Sequence, residues 1–372
     1  MRVLILSVTA GEGHNSCAAA LREVLERRGH QAAVADLYRS CGVPGWLTDR
    51  IYRTCARRFR AQYSRVYSRL ERDESFRRQW EKRFLPPWLY AKAAAFLQEQ
   101  QADCVVAMHV FAARVLAALH QQGLIRAPIL GVNTDYCLHP YWEDCPGLAG
   151  LVVPQEAMGP ELRDRGIPRE LLLPLGIPIR GPERYGISRE EARAALGLPE
   201  GRIILLMGGS MGYGRIFSTA LALRREKATT ICICGKNRPL RLLLRPFQNR
   251  RLKVLGFTRD LPEYMRSADL AITKPGGLSL SELAAAGLPP LLTKPIPGHE
   301  ERNLRLWTGL GAADSAQDCA SGRAVAARAI RLLEDGERLN CMRAALAALS
   351  RPEAAENLCS FVETLDKAPV RG

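Results

Sequence analysis

Short apolar runs alternate with helical stretches along the whole chain, a pattern typical of parallel β-strands separated by helices. In the first half, strands are predicted at 3–8, 32–35, 104–107, 129–132 and 151–153, and helices at about 16–28, 46–84, 89–100 and 110–121. Further strands are predicted near 203–207, 230–234, 253–255, 270–272 and 291–293, and the chain from 322 to about 366 reads as helix.

The repeated alternation predicts an α/β protein with two Rossmann-like domains that face each other across a cleft. A stretch rich in Pro and Gly separates the two halves and is typical of a linker. We therefore expect an N-terminal domain at 1–174, a linker at 175–187 and a second domain at 188–350. A helical tail, 351–372, is expected to pack back on the N-terminal domain.

A glycine-rich loop lies between a predicted strand and helix at 272–282, with the sequence ITKPGGLSLSE. Such a loop points free backbone N–H groups at an anion, and glycine allows close approach. Ser279 occupies an N-cap position and Glu282 follows three residues later, as in a capping box. The segment is thus interpreted either as a phosphate-binding loop or as a well-capped helix.

A second glycine loop, GEGHNS, follows the first strand and contains His14. It partly matches a dinucleotide-binding fingerprint, with Asp36 near the position of the ribose-binding acid, but it lacks the third glycine. A histidine within the loop titrates near neutral pH and favours catalysis over pyrophosphate binding.

Four segments together resemble the family of monogalactosyldiacylglycerol synthase and processive diacylglycerol glucosyltransferase, which is related to the N-acetylglucosaminyltransferase that forms lipid II. They are GEGHNS, NTDYCLHPYW, GFTRDLPEYMRSADLAITKPGGLSLSE and PIPGHEERN, spread from about residue 3 to 310. The resemblance implies a GT-B type fold and an inverting transfer from a UDP-sugar. His299 stands where the family usually has Gln.

On the donor side, backbone N–H groups of the loop would neutralise the diphosphate, and Glu282 would bind the ribose hydroxyls as the family's matching Glu does. Phe257 would flank the uracil, and His299 and Glu300 would reach the sugar hydroxyls. No Asp-x-Asp occurs, which favours a site without metal and a UDP-sugar as co-substrate instead of a bound cofactor. The full predicted donor set is Gly208, Gly209, Ser210, Phe257, Pro275, Gly276, Gly277, Leu278, Ser279, Glu282, His299, Glu300 and Asn303.

On the acceptor side, transfer to an alcohol requires a base near the attacking hydroxyl. His14 is the predicted base, and Asp135 either orients it or acts as base itself. Gly13, His139 and Trp142 are expected to line the acceptor groove.

The formal charge of +15 is uneven: residues 50–92 carry thirteen Lys or Arg against four acids, interleaved with nine aromatic residues. Cations and aromatic rings suit an anionic membrane surface. Nucleic-acid binding and a solvated helix face are the alternative interpretations of this segment. The glycosyltransferase features favour the membrane surface, so no nucleic-acid partner is expected. The residues chosen for membrane contact are Arg57, Arg58, Arg60, Trp80 and Trp88.

No stretch reaches the length of a membrane span and the N-terminus lacks a signal-peptide pattern. Eleven cysteines without zinc spacing are typical of reduced thiols. We therefore expect a cytoplasmic enzyme bound peripherally to the inner face of the cell membrane. It would transfer glucose or galactose to diacylglycerol and form a β-glycosyldiacylglycerol. The alternatives are transfer to a polyprenyl-linked acceptor, a sugar-nucleotide epimerase, or a non-catalytic basic binding protein.

Overall fold

The computed structural model describes residues 1–9, 12–45, 50, 54, 60–208 and 215–366. The chain forms two compact units. The N-terminal unit comprises Met1–Arg180, Pro297–His299 and the chain from Glu353 onward, and the C-terminal unit comprises Gly181–Ile296 and Glu300–Pro352. The break at Arg180 falls within 175–187.

The N-terminal unit is built on a six-stranded parallel sheet with strand order β2-β1-β3-β4-β5-β6. Its central strands are apolar throughout because helices cover both faces of the sheet. The strands are β1 Arg2–Ser7, β2 Gln31–Asp36, β3 Cys104–Ala107, β4 Ile129–Val132, β5 Gly150–Val152 and β6 Leu172–Leu173.

Helices connect the strands of this unit and cover both faces of its sheet. Those described between β1 and β6 are α1 Gly13–Arg27, α2 Leu37–Ser40, α3 Arg60–Arg72, α4 Glu74–Phe84, α5 Pro87–Gln100, α6 Val110–Gln121 and α7 Gly159–Asp164. A core of Leu, Val, Ala and aromatic side chains lies between them and the sheet.

The C-terminal unit is built on a second six-stranded parallel sheet, with a different strand order, β12-β11-β10-β7-β8-β9. Its strands are β7 Ile203–Met207, β8 Thr229–Ile233, β9 Leu252–Leu255, β10 Leu270–Thr273, β11 Pro290–Leu292 and β12 Asp314–Ser315. The remaining helices are α8 Arg189–Ala195, α9 Ile216–Leu223, α10 Arg238–Leu244, α11 Leu261–Ser267, α12 Gly277–Ala286, α13 His299–Gly309, α14 Gly322–Glu334, α15 Gly336–Leu349 and α16 Ala354–Asp366.

Helix α16 belongs to the N-terminal unit, where it packs on α1. Arg28 at the end of α1 donates to Ser360 Oγ at 2.9 Å and to Glu363 Oε2 at 2.6 Å, and His30 contacts Glu363 Oε1 at 3.0 Å. These contacts fix the last helix on the first βα unit of the chain.

Two predicted helix boundaries are wrong. The helix predicted from residue 16 begins at Gly13, because the Ser16 N–H already donates to the Glu12 carbonyl at 2.9 Å. The helix predicted over 46–84 breaks at Asp73, whose side chain caps α4 by accepting from the Phe76 N–H at 2.8 Å. Most of 46–59 lies outside the described residues.

In the described part of the chain, no helix is both long enough and apolar enough to cross a bilayer. The ten cysteines found there are all free thiols, and eight of them are buried.

Candidate functional site

The carboxyl edge of the N-terminal sheet opens into a cavity of about 550 Å³. Its wall is mostly apolar and aromatic, with side chains from α3, α4, α6 and the loop after β4. Its polar groups are concentrated where β1, β3 and β4 end. The lining includes Val8, Val43, Tyr63, Val66, Tyr67, Leu70, Trp80, Phe84, Trp88, Phe111, Tyr141 and Trp142, with Thr9, His14, His109, Asn133, Thr134, Asp135, His139 and His299.

His14 lines this cavity. It lies in the first turn of α1 and not on a loop before the helix, as was predicted. Its Nδ1 donates to the Met108 carbonyl oxygen at 2.8 Å, and Thr134 Oγ1 lies 3.0 Å from the same nitrogen. A carbonyl only accepts, so Nδ1 carries the proton and Nε2 of the neutral ring keeps its lone pair. The ring is thereby fixed in the tautomer that a base acting through Nε2 requires.

Burial lowers the pKa of His14 below its ordinary value, and the negative charge of Asp135 opposes this shift. The helix N-terminus also disfavours a positive charge in the first turn. At neutral pH the ring is therefore uncharged and ready to accept a proton. Asp135, in turn, would stabilise the imidazolium that forms.

Asn133 holds the loop that carries Thr134 and Asp135. It is buried, and its Nδ2 donates to the carbonyls of Asp135 at 2.7 Å and Cys137 at 3.1 Å. Because β4 is hydrogen-bonded to β3, this loop emerges beside Met108, and both elements reach His14 from the same edge.

Four of the six histidines in the chain line this one cavity. Two of them cap helical turns: His109 Nδ1 accepts from the Phe111 N–H at 3.0 Å, and His139 Nδ1 accepts from the Tyr141 N–H at 3.3 Å. The capped nitrogens are acceptors, so each proton sits on Nε2.

His109 was missed by the sequence reasoning. Its ring meets the His14 ring edge to face with centroids 4.7 Å apart, and burial together with the neighbouring histidines lowers its pKa well below the ordinary value. The available signal was topological: residue 109 follows β3, and the ends of adjacent parallel strands meet at one edge.

His299 belongs to the N-terminal unit and lines the cavity. Its carbonyl accepts from Cys137 Sγ at 3.5 Å, and its ring lies 6.4 Å from that of Tyr67. Gly298 has φ +91°, and a Cβ there would lie 2.7 Å from the Tyr67 ring. Glycine is therefore needed for this segment to reach the cavity; the predicted contact of His299 with a sugar stays a prediction.

The other predicted acceptor residues divide into buried and exposed positions. Trp142 is buried over Gly131 of β4, where any Cβ would come within 2.6 Å of the indole. Trp80 and Trp88 both line the cavity, and Trp88 is 48% exposed. Gly13 is the first residue of α1.

Of the arginines predicted to bind membrane, Arg60 begins α3, whereas Arg57 and Arg58 lie outside the described residues. Two of the described cations in segment 50–92 lie over the rings of the predicted tryptophans. The guanidinium of Arg83 is 4.4 Å from the Trp80 ring centre, and Lys92 Nζ is 5.7 Å from that of Trp88.

In the C-terminal unit, β10 runs through Lys274 and Pro275 into α12, as predicted. The predicted capping box is wrong. Gly276 is the N-cap, without a side-chain bond, and Ser279 lies inside the first turn because the helix already starts at Gly277. The first amides, of Gly277, Leu278 and Ser279, therefore have no intrahelical acceptor.

Glu282 contacts Tyr185, whose phenol donates to its carboxylate, instead of capping the helix. Burial raises the pKa of Glu282 to about 7, and the bond from Tyr185 opposes that rise. A carboxylate that titrates near neutral pH inside a unit is typical of a functional site.

Two contacts join the glycine loop to α13. The Lys274 ammonium pairs with Glu300 Oε1, while Glu300 Oε2 accepts from the Ile296 N–H at 2.7 Å. Asn303, fully buried, donates to the Pro275 carbonyl at 3.0 Å. Glu300 and Asn303 thus hold the loop in place, and their predicted contacts with a sugar stay predictions.

The remaining predicted donor residues are Phe257, Gly208, Gly209 and Ser210, and the structure describes the first two. Phe257, two residues beyond β9, is 68% exposed. Gly208 follows β7 and is buried, and Gly209 and Ser210 lie outside the described residues.

Among the described residues, one group of side chains has the types and spacing of a metal site: His30, Cys359 and Glu363. It joins α16 to the N-terminal sheet, away from the cavity lining. Arg28 already bonds Glu363 at 2.6 Å, and its guanidinium opposes a cation there.

Comparison with known proteins gives two family matches. Residues 14–179 match the monogalactosyldiacylglycerol (MGDG) synthase family, and residues 203–358 match the glycosyltransferase family 28 C-terminal domain. A processive diacylglycerol beta-glucosyltransferase of Bacillus cereus (strain AH187) is 29% identical over 374 residues, covering 97% of this chain and 93% of its own length.

Solved structures share the fold at low identity. MurG of Acinetobacter baumannii aligns with a TM-score of 0.61 at 15% identity, covering 98% of this chain and 99% of its own. The UDP-GlcNAc 2-epimerase of Neisseria meningitidis, bound to UDP-GlcNAc, aligns at 0.62 and 14%, covering 99% and 100%. The predicted GT-B type fold with two Rossmann-like domains is confirmed.

Proposed function

We propose that this chain, which belongs to the glycosyltransferase family of monogalactosyldiacylglycerol synthase, is a glycolipid-forming enzyme. It transfers glucose or galactose from a UDP-sugar to diacylglycerol. The product would be a β-glycosyldiacylglycerol, formed with inversion at the anomeric carbon. The related Bacillus protein is named for the same class of acceptor.

One observation carries this proposal: His14 lines the apolar cavity of the N-terminal unit, and because its Nδ1 donates to the Met108 carbonyl, its Nε2 can accept a proton. Acyl chains are favoured by an aromatic and aliphatic wall, since burying apolar surface is worth about 25 cal/mol per Å². The glycerol hydroxyl, the one polar end of diacylglycerol that reacts, would then lie at the strand ends with the polar groups.

In the proposed reaction the acceptor oxygen attacks the anomeric carbon while the bond from that carbon to the UDP oxygen breaks. His14 Nε2 takes the hydroxyl proton, and UDP leaves with the electron pair. Asp135 stabilises the imidazolium through its negative charge. Positioned proton transfer of this kind contributes about 10²–10⁴ in rate.

The donor would bind in the C-terminal unit at the N-terminus of α12. Amides of Gly277, Leu278 and Ser279 would face the diphosphate, helped by the helix dipole, with no metal required. Glu282 would accept from the ribose hydroxyls, and the exposed Phe257 would flank the uracil. Gly208, Gly209 and Ser210 would add amides from the neighbouring strand end.

The acceptor must be taken from a bilayer, so we place the enzyme peripherally on the inner face of the cell membrane. The cationic and aromatic segment 50–92 supports this placement, because Trp80 and Trp88 line the cavity and carry cations over their rings.

The test is UDP release from UDP-glucose and UDP-galactose, with and without diacylglycerol in anionic liposomes. Release that requires the lipid, with a β-linked glycolipid product, is expected, and the donor that reacts identifies the sugar. Release only with a polyprenyl-linked acceptor, or epimerisation without UDP release, would contradict the proposal.

A further inference from the structure

A surface of the C-terminal unit exposes large apolar side chains beside cations. On α10, Leu242 is 64% exposed and Leu243 is 60% exposed, whereas Leu244 is fully buried. Arg238, Arg241 and Arg245 on and directly after the same helix are also exposed. These five residues are called the leucine–arginine surface below.

Helical geometry accounts for this arrangement. Leu240 and Leu244, one turn apart, share the face that points into the unit, and Leu244 joins its core. The three arginines, spaced at i, i+3 and i+7, form a stripe along one side of the outer face. Leu242 and Leu243 occupy the rest of that face, so the helix presents cations and apolar side chains side by side.

The charge of this region is unbalanced. Residues 238–253 contain six Lys or Arg and no acid. Across the part of the chain that the structure describes, none of the six forms an ion pair. Arginines elsewhere in the same unit do: Arg184 bonds Glu263 at 2.6 Å, and Arg189 bonds Asp269 at 2.6 Å.

Aromatic side chains adjoin the surface. Phe247, two residues after Arg245, meets the exposed Phe217 of α9 edge to face at 6.0 Å, and the Arg224 guanidinium lies 5.6 Å over its ring. Exposed leucine and phenylalanine beside arginine is the composition that suits the boundary between lipid headgroups and acyl chains.

We propose that the leucine–arginine surface binds an anionic lipid bilayer, as a contact on the C-terminal unit that is separate from segment 50–92. The arginines match lipid phosphate in charge, and the leucines would enter the headgroup region. Phosphate on a nucleic acid would satisfy the arginines but leave the leucines in water, which favours lipid as the partner.

The experiment measures binding of the full chain to vesicles of phosphatidylcholine mixed with phosphatidylglycerol. The variant Leu242→Ser/Leu243→Ser should bind at least about fivefold more weakly, because the apolar insertion is lost. Arg238→Gln/Arg245→Gln should lose about fivefold per arginine at low salt. On vesicles of phosphatidylcholine alone, the arginine variant should bind as well as the parent protein.

Matched controls are Leu310→Ser, a leucine that is 44% exposed in the same unit, and Arg323→Gln/Arg331→Gln, two exposed arginines of α14. Both should bind like the parent protein. Undiminished binding of the leucine and arginine variants, or equal losses in the controls, would overturn the proposal.

The result can be separated from the proposed transfer reaction. Vesicle binding needs no turnover, and Leu242→Ser/Leu243→Ser should keep full activity on a short-chain diacylglycerol dissolved in water. A protein that shows the binding losses but transfers no sugar would refute the proposed function and leave this surface assigned. Turnover by the parent protein, together with unchanged vesicle binding of the variants, would support the proposed function and refute the assignment of this surface.

Discussion

Both units are built on a six-stranded parallel sheet, but the charged and titratable groups at their strand ends are held in different ways. In the N-terminal unit, histidines held by backbone contacts, such as His14 on Met108 and His109 on Phe111, border an apolar cavity. In the C-terminal unit, charges are paired internally, as in Lys274 with Glu300, around a helix N-terminus. In both units the fold brings residues together at the carboxyl edge of a parallel sheet, and the identity of those residues determines the chemistry of the site.

Under the proposed function, this difference gives the two units separate tasks. The N-terminal unit offers an uncharged base and apolar volume, which suit a lipid alcohol. The C-terminal unit offers the first amides of α12 and the Glu282 carboxylate, which suit a nucleotide. If the assignment is right, variants in one unit should alter acceptor turnover, and variants in the other should alter nucleotide affinity.

The largest effect is expected from His14→Gln, which removes the proposed base. Turnover should fall by about 10²–10⁴, while UDP affinity, measured by calorimetry, stays close to that of the parent. His120→Gln is the control, since His120 also bonds a carbonyl, that of Ile125 at 3.0 Å, but lies outside the cavity lining. Equal turnover in the two variants would remove His14 from the mechanism.

The pH dependence of turnover provides a second readout for the same residue. Because burial lowers the pKa of His14, the neutral ring persists below its ordinary range. The midpoint of the acidic limb in a plot of kcat against pH should therefore lie below about pH 6.5.

An intermediate effect is expected at Glu282, whose pKa of about 7 lies above that of an ordinary glutamate. Ribose hydroxyls donate to the ionised form, so UDP binding is linked to loss of a proton. Affinity should therefore weaken as pH falls through about 7 and strengthen above it. Glu282→Gln should abolish this dependence and weaken binding at high pH by about tenfold, whereas Glu337→Ala should leave the profile unchanged.

The smallest effect is expected from Thr134→Val, because Thr134 supplies only one of the two oxygens near His14 Nδ1. We expect kcat to fall by about three- to tenfold. Thr134→Ser keeps the hydroxyl and should restore most of the rate. A valine variant as active as the serine variant would show that Thr134 does not orient the ring.

Periodicity was sufficient to predict ten of the twelve strands in the described residues and most helices, because buried parallel strands are continuous apolar runs such as Ile203–Met207. The two-residue strands β6 and β12 were missed, because each is too short to form such a run. Periodicity could not place the start of α1 or the cap of α12. Both depend on which carbonyl the first amides reach, as with Ser16 and Glu12. A serine at a plausible N-cap position, Ser279, therefore gave a wrong boundary.

Single candidate residues were predictable where a motif carried them, as with His14 and Glu282. Their partners were not, because Met108, Thr134 and Tyr185 are distant in sequence and meet them only through sheet order. The aromatic residues of 50–92 were predicted at a membrane surface, but the described ones chiefly form the wall of a cavity, which no local pattern reveals.

The most direct test of the central claim is to fill the cavity. Val66→Trp places an indole against the proposed acyl chains, and Val34→Trp, on an exposed position of edge strand β2, is the control. We predict that Val66→Trp raises the KM for long-chain diacylglycerol by about tenfold or more with UDP affinity unchanged. An unchanged KM would contradict the claim that this cavity holds the lipid.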